Sequence, residues 1–91
     1  MKSRFEFDDS KSASNQDKQG IDFVEAQRLW KDENLLIVQA KSVAEMRWVA
    51  VGVIDEKCWT AVFTLRDAAV RIISVRRARD YEIEGHFGPR V

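Results

Sequence analysis

The sequence predicts one α+β domain spanning residues 1–91, in the order β-α-α-β-β-β-β with a short C-terminal helix as an optional last element. Three observations carry this. The chain has 91 residues, the length of a single domain, with 45% hydrophobic and 33% charged residues, which supplies one core. Helical spacing dominates as far as Asp32, and a period of two dominates from Asn34 onward. Helices gathered early and strands in a late meander indicate an antiparallel-dominated sheet with both early helices on one face, not alternating βαβ units.

Arg4-Phe5-Glu6-Phe7 alternates and reads as the first strand. Asp8 or Asp9 caps a helix through Lys11, Ala13, Asn15 and Lys18, and Gly20 suits the left-handed residue that ends it. Few apolar residues lie on this helix, so it packs shallowly. Asp22 and Glu25 have capping-box spacing, with Ile21 placed to staple against Ala26. The second helix carries Phe23, Ala26, Leu29 and Trp30 on roughly one face and ends near Lys31-Asp32. Residues 35–40 are β-prone and 42–46 are a connection. Residues 47–54 and 58–65 are rich in β-branched and aromatic side chains, joined by Asp55-Glu56-Lys57 as a hairpin loop. Arg66-Asp67-Ala68 turns the chain into a last strand, 70–76. Residues 79–85 suit a final helix, and Gly88-Pro89 ends regular structure.

No apolar run approaches the ~20 residues of a membrane span. The N-terminus MKSRFEFDD turns acidic at once, unlike a secretory signal. The lone Cys58 permits neither an internal disulfide nor a multi-cysteine zinc site. These features predict a cytoplasmic protein without membrane association. A core this small is often completed by a partner.

Formal net charge is zero, which argues against nonspecific polyanion binding. Its distribution is uneven. Residues 1–45 are net −2; residues 46–91 are net +2 and prefer Arg to Lys by seven to one. Strand alternation places Trp59, Ala61, Phe63 and Leu65 on one face, and Thr60, Val62, Thr64 and Arg66 on the other. In the next strand it groups Arg71, Ile73 and Val75 against Ile72, Ser74 and Arg76. Thr64, Arg66, Ser74 and Arg76 then form an exposed wall. Guanidinium forks and orientable hydroxyls suit phosphate recognition. The same wall is also an ordinary wet sheet face, and pattern alone favours that reading. His86 reads as a surface residue in a mobile tail, Cys58 as packing, and the three tryptophans as core or partner contacts. Nucleotide-loop, zinc-protease and CxxC motifs are absent from the sequence.

Four segments together resemble one family: Phe5-Glu6-Phe7-Asp8 with Lys11 and Asn15; Lys18-Gln19-Gly20-Ile21-Asp22-Phe23 with Glu25-Ala26; Glu45-Met46-Arg47 with Gly52; and Arg71-Ile72-Ile73-Ser74-Val75-Arg76-Arg77-Ala78 with Glu82. In order and spacing they are similar to the BrnT family, toxins of type II toxin–antitoxin systems, over about residues 5–86. The resemblance implies a RelE-like fold and a ribonuclease that cuts RNA and slows translation. It also implies a BrnA-like ribbon-helix-helix antitoxin through which the pair binds operator DNA. Family members commonly have Lys-His-Gly where this chain has Lys18-Gln19-Gly20, so an imidazole is replaced. The usual late aromatic aligns with His86.

For such a nuclease, cations must gather at the phosphate. The candidate catalytic residues are Arg66 and Arg76, with Arg47, Lys18 and Glu45; Glu45 acts as base or, better, orients Arg47. Gln19, Thr64, Ser74, Arg77 and Arg79 are candidate substrate contacts. Arg71 falls on the other face, pairing with a carboxylate or lying at a sheet edge. No metal and no cofactor are expected. The alternatives are a ParE-like protein-binding toxin and an inactive homologue that serves only in antitoxin binding and autorepression.

Overall fold

The computed structural model describes residues 4–40 and 45–87. Part of the expected 42–46 connection and the stop at Gly88-Pro89 lie outside these residues. The fold is α+β. Five strands, β1 (Arg4–Glu6), β2 (Leu36–Ala40), β3 (Arg47–Ile54), β4 (Lys57–Arg66) and β5 (Ala69–Arg77), form one sheet in the order β1-β5-β4-β3-β2. The sheet is mixed: β1 runs parallel to β5, and the remaining neighbours pair antiparallel. Three helices accompany it: α1 (Asp9–Gln19), a 3-10 helix (Glu25–Lys31) and α2 (Asp80–Phe87).

The first helix forms for the reasons its sequence suggests. The Asp8 carboxylate accepts from the Lys11 amide at 3.1 Å, and Gly20 closes the helix at φ 79°. It lies beside β5 rather than over the sheet. Asn15 Oδ1 accepts from the Val75 amide at 3.1 Å, its Nδ2 donates to the Ile21 carbonyl, and Ser12 Oγ accepts from the Phe23 amide. Asn15 thus pairs backbone that β1 is too short to reach.

The second helix differs in kind from the expected α-helix. Asp22 accepts from the Glu25 amide at 2.7 Å in the turn that leads in, while Val24 takes the N-cap position itself. But Phe23, Ala26 and Leu29 recur at intervals of three, the period at which a 3-10 helix aligns its side chains. All three are at most 1% exposed and pack on Ala50, Ala61, Phe63, Ile72 and Val75. Trp30 stands edge-on to Phe63 at 5.3 Å. Burying Leu29 alone contributes about 1.5–3 kcal/mol.

One extra residue in β5 corrects the face assignment. Val62 lies opposite Ser74 and Phe63 opposite Ile72, so Ile73 is a bulge. Beyond it the parity reverses. Ile72, not Ile73, packs on Phe63 in the core, and Arg71 joins Thr64 on the opposite face.

The β3–β4 and β4–β5 hairpins close with two-residue turns, shorter than the loops expected. Asp55 and Glu56, then Asp67 and Ala68, all have φ between 48° and 69°. This left-handed pair matches strand twist but strains residues other than glycine.

Asp32 ties the structure together where β2 has not yet begun. Its Oδ1 accepts from the Asn34 amide, and its Oδ2 accepts from the Val53 amide and meets His86 Nε2 at 2.9 Å. His86 is therefore not a surface residue; its side chain is 2% exposed. This contact fastens α2 over the face opposite the 3-10 helix, with Gly85 against Leu36 and Glu82 beside Thr60.

Candidate phosphate-binding groove

On the face opposite the core cluster, one rung crosses the sheet. Glu6 lies opposite Arg71, and Arg71 opposite Thr64. Arg47 begins β3 one step beyond the Trp48–Phe63 pair, which brings it level with Thr64. Arg66 stands at the end of β4. Here α2 no longer covers the sheet, and an open groove of about 420 Å³ is lined by Lys11, Glu45, Arg47, Thr64, Arg66 and Arg71 among others.

The charges in this groove are loosely held. Arg71 Nη1 is 3.8 Å from Glu6 Oε1, with both side chains 35% exposed. Arg47 Nη2 is 3.7 Å from Glu45 Oε1, and the Arg47 Nε is buried without an acceptor among the described residues. Among the described residues, four cationic side chains face two carboxylates. The local field therefore favours an anion.

Arg76 is placed differently. It shares a face with Thr64 and Arg66, but α2 covers it. Its Nη1 and Nη2 donate to Glu82 Oε1 and Oε2 at 2.7 and 2.9 Å, and the Arg79 amide also donates to Glu82 Oε1 at 2.8 Å. Burial pushes the Glu82 carboxyl up, yet Arg76 and the Arg79 amide overcome this and hold it below its ordinary value. Ser74 is half-buried on this face, and Arg79 is exposed at the start of α2.

The other expected site residues lie apart. Arg77 is on the core-side face, stacked over the Trp59 ring at 5.4 Å. Lys18 and Gln19 are exposed at the end of α1. Lys11 lines the groove near Arg71 and Asn15 binds Val75, so α1 carries Lys18 and Gln19 toward the Arg77 end of β5. The structure thus gathers Glu45, Arg47, Thr64 and Arg66, and separates them from Lys18, Gln19, Arg76, Arg77 and Arg79. It adds Arg71 and Lys11. Strict alternation hides Arg71; the adjacent Ile72 and Ile73, both apolar, are the only sequence trace of the bulge that turns it. Cys58 is buried, and burial together with Asp32 and Glu82 pushes its thiol up, away from nucleophilic use.

A family model described as the ribonuclease toxin BrnT of type II toxin–antitoxin systems matches residues 7–82. No curated protein matches the chain.

Proposed function

The chain belongs to the BrnT family of ribonuclease toxins of type II toxin–antitoxin systems, and from that premise we propose that it is a metal-independent endoribonuclease whose scissile phosphate occupies the Arg47–Arg66–Arg71 groove. One observation carries this reading: guanidinium groups from three adjacent strands converge with the Thr64 side chain on one open groove. Such a set supplies the charge that a phosphate in transition requires, without a metal.

In this mechanism the neighbouring 2′-hydroxyl attacks phosphorus and the 5′-oxygen leaves. Arg66 and Arg71 take the equatorial oxygens, because planar forks match phosphate geometry. Arg47 adds its guanidinium charge beside the same group. Glu45 orients Arg47 and, as a carboxylate lining the groove, serves as base for the 2′-hydroxyl. Lys11 in the groove, rather than Lys18, offers the ammonium that protonates the leaving oxygen. Arg76 acts at one remove, by holding α2 against the sheet through Glu82. Lys18, Gln19, Arg77 and Arg79 contact RNA flanking the cut or the partner protein.

The replacement of the family imidazole at Gln19 leaves this groove untouched, which supports an active enzyme over an inactive homologue. The reading includes a RelE-like topology, cytoplasmic action on translated RNA, and neutralisation by a BrnA-like ribbon-helix-helix antitoxin that brings the pair to operator DNA. The test is RNA cleavage by the purified chain in the presence of a chelator. Arg71→Ala should lose roughly 10²-fold or more in rate, the scale of one preorganised donor, at unchanged thermal stability. Cleavage that requires an added divalent ion, or that persists fully in Arg71→Ala, would remove this assignment.

A further inference from the structure

The two sheet edges are closed differently. At the β5 edge, β1 pairs with Ala69, Val70 and Arg71, and Asn15 takes the Val75 amide. Along the outer edge of β2, no strand pairs among the described residues. Leu36-Ile37-Val38-Gln39-Ala40 has no charge, proline or glycine, the features that ordinarily blunt an edge. Ile37 and Val38 are 45% and 46% exposed. The β2–β3 register is unbroken over its full length, so the outward backbone donors and acceptors stand in an even row. An edge of this kind is a template for an added strand.

The position of Ala40 says what that strand carries. Ala40 lies opposite Arg47, and both project on the groove face together with Leu36 and Val38. A residue added beside Ala40 would be two strand spacings, about 9–10 Å, from Arg47. The β2 register places Ala40, with only a methyl, between them, and a Glu and an Arg side chain reaching toward each other span that distance. The edge itself offers no charge, so Arg47 and the cationic groove behind it set the electrostatic preference. That preference is for a carboxylate.

We propose that the outer edge of β2 docks an extended acidic segment of the antitoxin, which adds a sixth strand and sets a carboxylate across Ala40 onto Arg47. This rests on the toxin reading above and adds to it a surface and a mode of inhibition. Strand docking and phosphate binding then compete for the same guanidinium.

The probe is the capped peptide Thr-Val-Thr-Glu-Thr-Val-Thr, titrated to millimolar concentration against the isotopically labelled chain and followed by amide NMR. In the proposed register Val faces Val38 and Glu faces Ala40. Amide shifts and slowed exchange should be confined to Leu36–Ala40 and Arg47. The same peptide with Lys for Glu should bind at least ~10-fold more weakly, and Val38→Glu should weaken the acidic peptide likewise. Cleavage of RNA should fall in proportion to occupancy. No binding, shifts centred elsewhere, or equal affinity for the two peptides would overturn the proposal. Slowed β2 exchange that follows protein concentration without peptide would overturn it in favour of a second copy of the chain. The amide signals need no nuclease activity: a chain that docks the peptide but cuts no RNA ends the nuclease reading alone, and one that cuts RNA but ignores the peptide ends the edge proposal alone.

Discussion

Replacing Arg76 with alanine strands a carboxylate. Glu82 is 8% exposed and receives both Arg76 nitrogens as well as the Arg79 amide. Removing one partner of a fully buried ion pair costs about 3–5 kcal/mol. Arg76 keeps 28% exposure, and water screening reduces the figure to about 2–3 kcal/mol. A domain of this size shifts by roughly 4–8 °C per kcal/mol, so the melting temperature should fall by roughly 8–24 °C. Thermal unfolding by circular dichroism measures this directly. The double variant Arg76→Met/Glu82→Leu should recover most of the loss, because two apolar groups leave no stranded charge. RNA cleavage by that double variant, assayed well below its melting point, should stay near the original rate. An Arg76→Ala protein with an unchanged melting temperature and abolished cleavage would refute the reasoning and make Arg76 a direct phosphate ligand.

Ala68 is held at φ 65°, so Ala68→Gly should raise stability by about 0.5–1 kcal/mol, read as a higher urea midpoint. Gly52→Ala should do the reverse: its new Cβ would sit 3.0 Å from Leu29 Cδ2 and 3.2 Å from Asp32 Oδ2, an overpacking that costs about 1–3 kcal/mol. Both Asp32 and Glu82 have carboxyl groups held below their ordinary values despite burial, Asp32 by the Asn34 and Val53 amides and His86, Glu82 by Arg76 and the Arg79 amide. Their stabilisation is complete above the unfolded values of 3.8 and 4.5 and is lost as pH falls through the lower folded values. A pH titration of the melting temperature should therefore be flat above about pH 5 and drop steeply below about pH 4; a steep loss between pH 5 and 7 would contradict it. Gln19→His should change the cleavage rate by far less than the ~10² of a placed proton-transfer group, and a gain of that size would put the end of α1 in the reaction.

Much of the fold was legible because local chemistry and tertiary need agree. Asp8 and Gly20 occupy the caps their residue types prefer, Asp22 holds the turn into the second helix, and β3 begins and ends where its apolar run does. The kind of the second helix was readable too, since Phe23, Ala26 and Leu29 repeat every three residues; a wider apolar face was assumed because Trp30 is adjacent. The pairing of β1 with β5 joins distant segments and leaves no mark in either. The site was half legible. Arg47, Thr64 and Arg66 precede or sit outside the bulge and follow simple alternation. Arg71 does not, since a single inserted residue changes the face of everything on its far side. The role of His86 was hidden because its partner, Asp32, lies 54 residues away.

That same joining of distant segments sets an order of assembly. The strands β2 to β5 are successive hairpin neighbours and can zip from short loops, whereas β1 must wait for β5. The Arg4 guanidinium meets the Asp67 carbonyl across a separation of 63 residues, and Glu6 reaches Arg71 across a similar span. Closing so long a loop carries the largest entropic barrier in the molecule, which is repaid only after the hairpins offer a surface to close upon. A nascent chain that has emerged only as far as β4 carries all of β2 but still lacks Arg71. During synthesis the residues that a partner strand would pair with emerge before the full set that RNA would need.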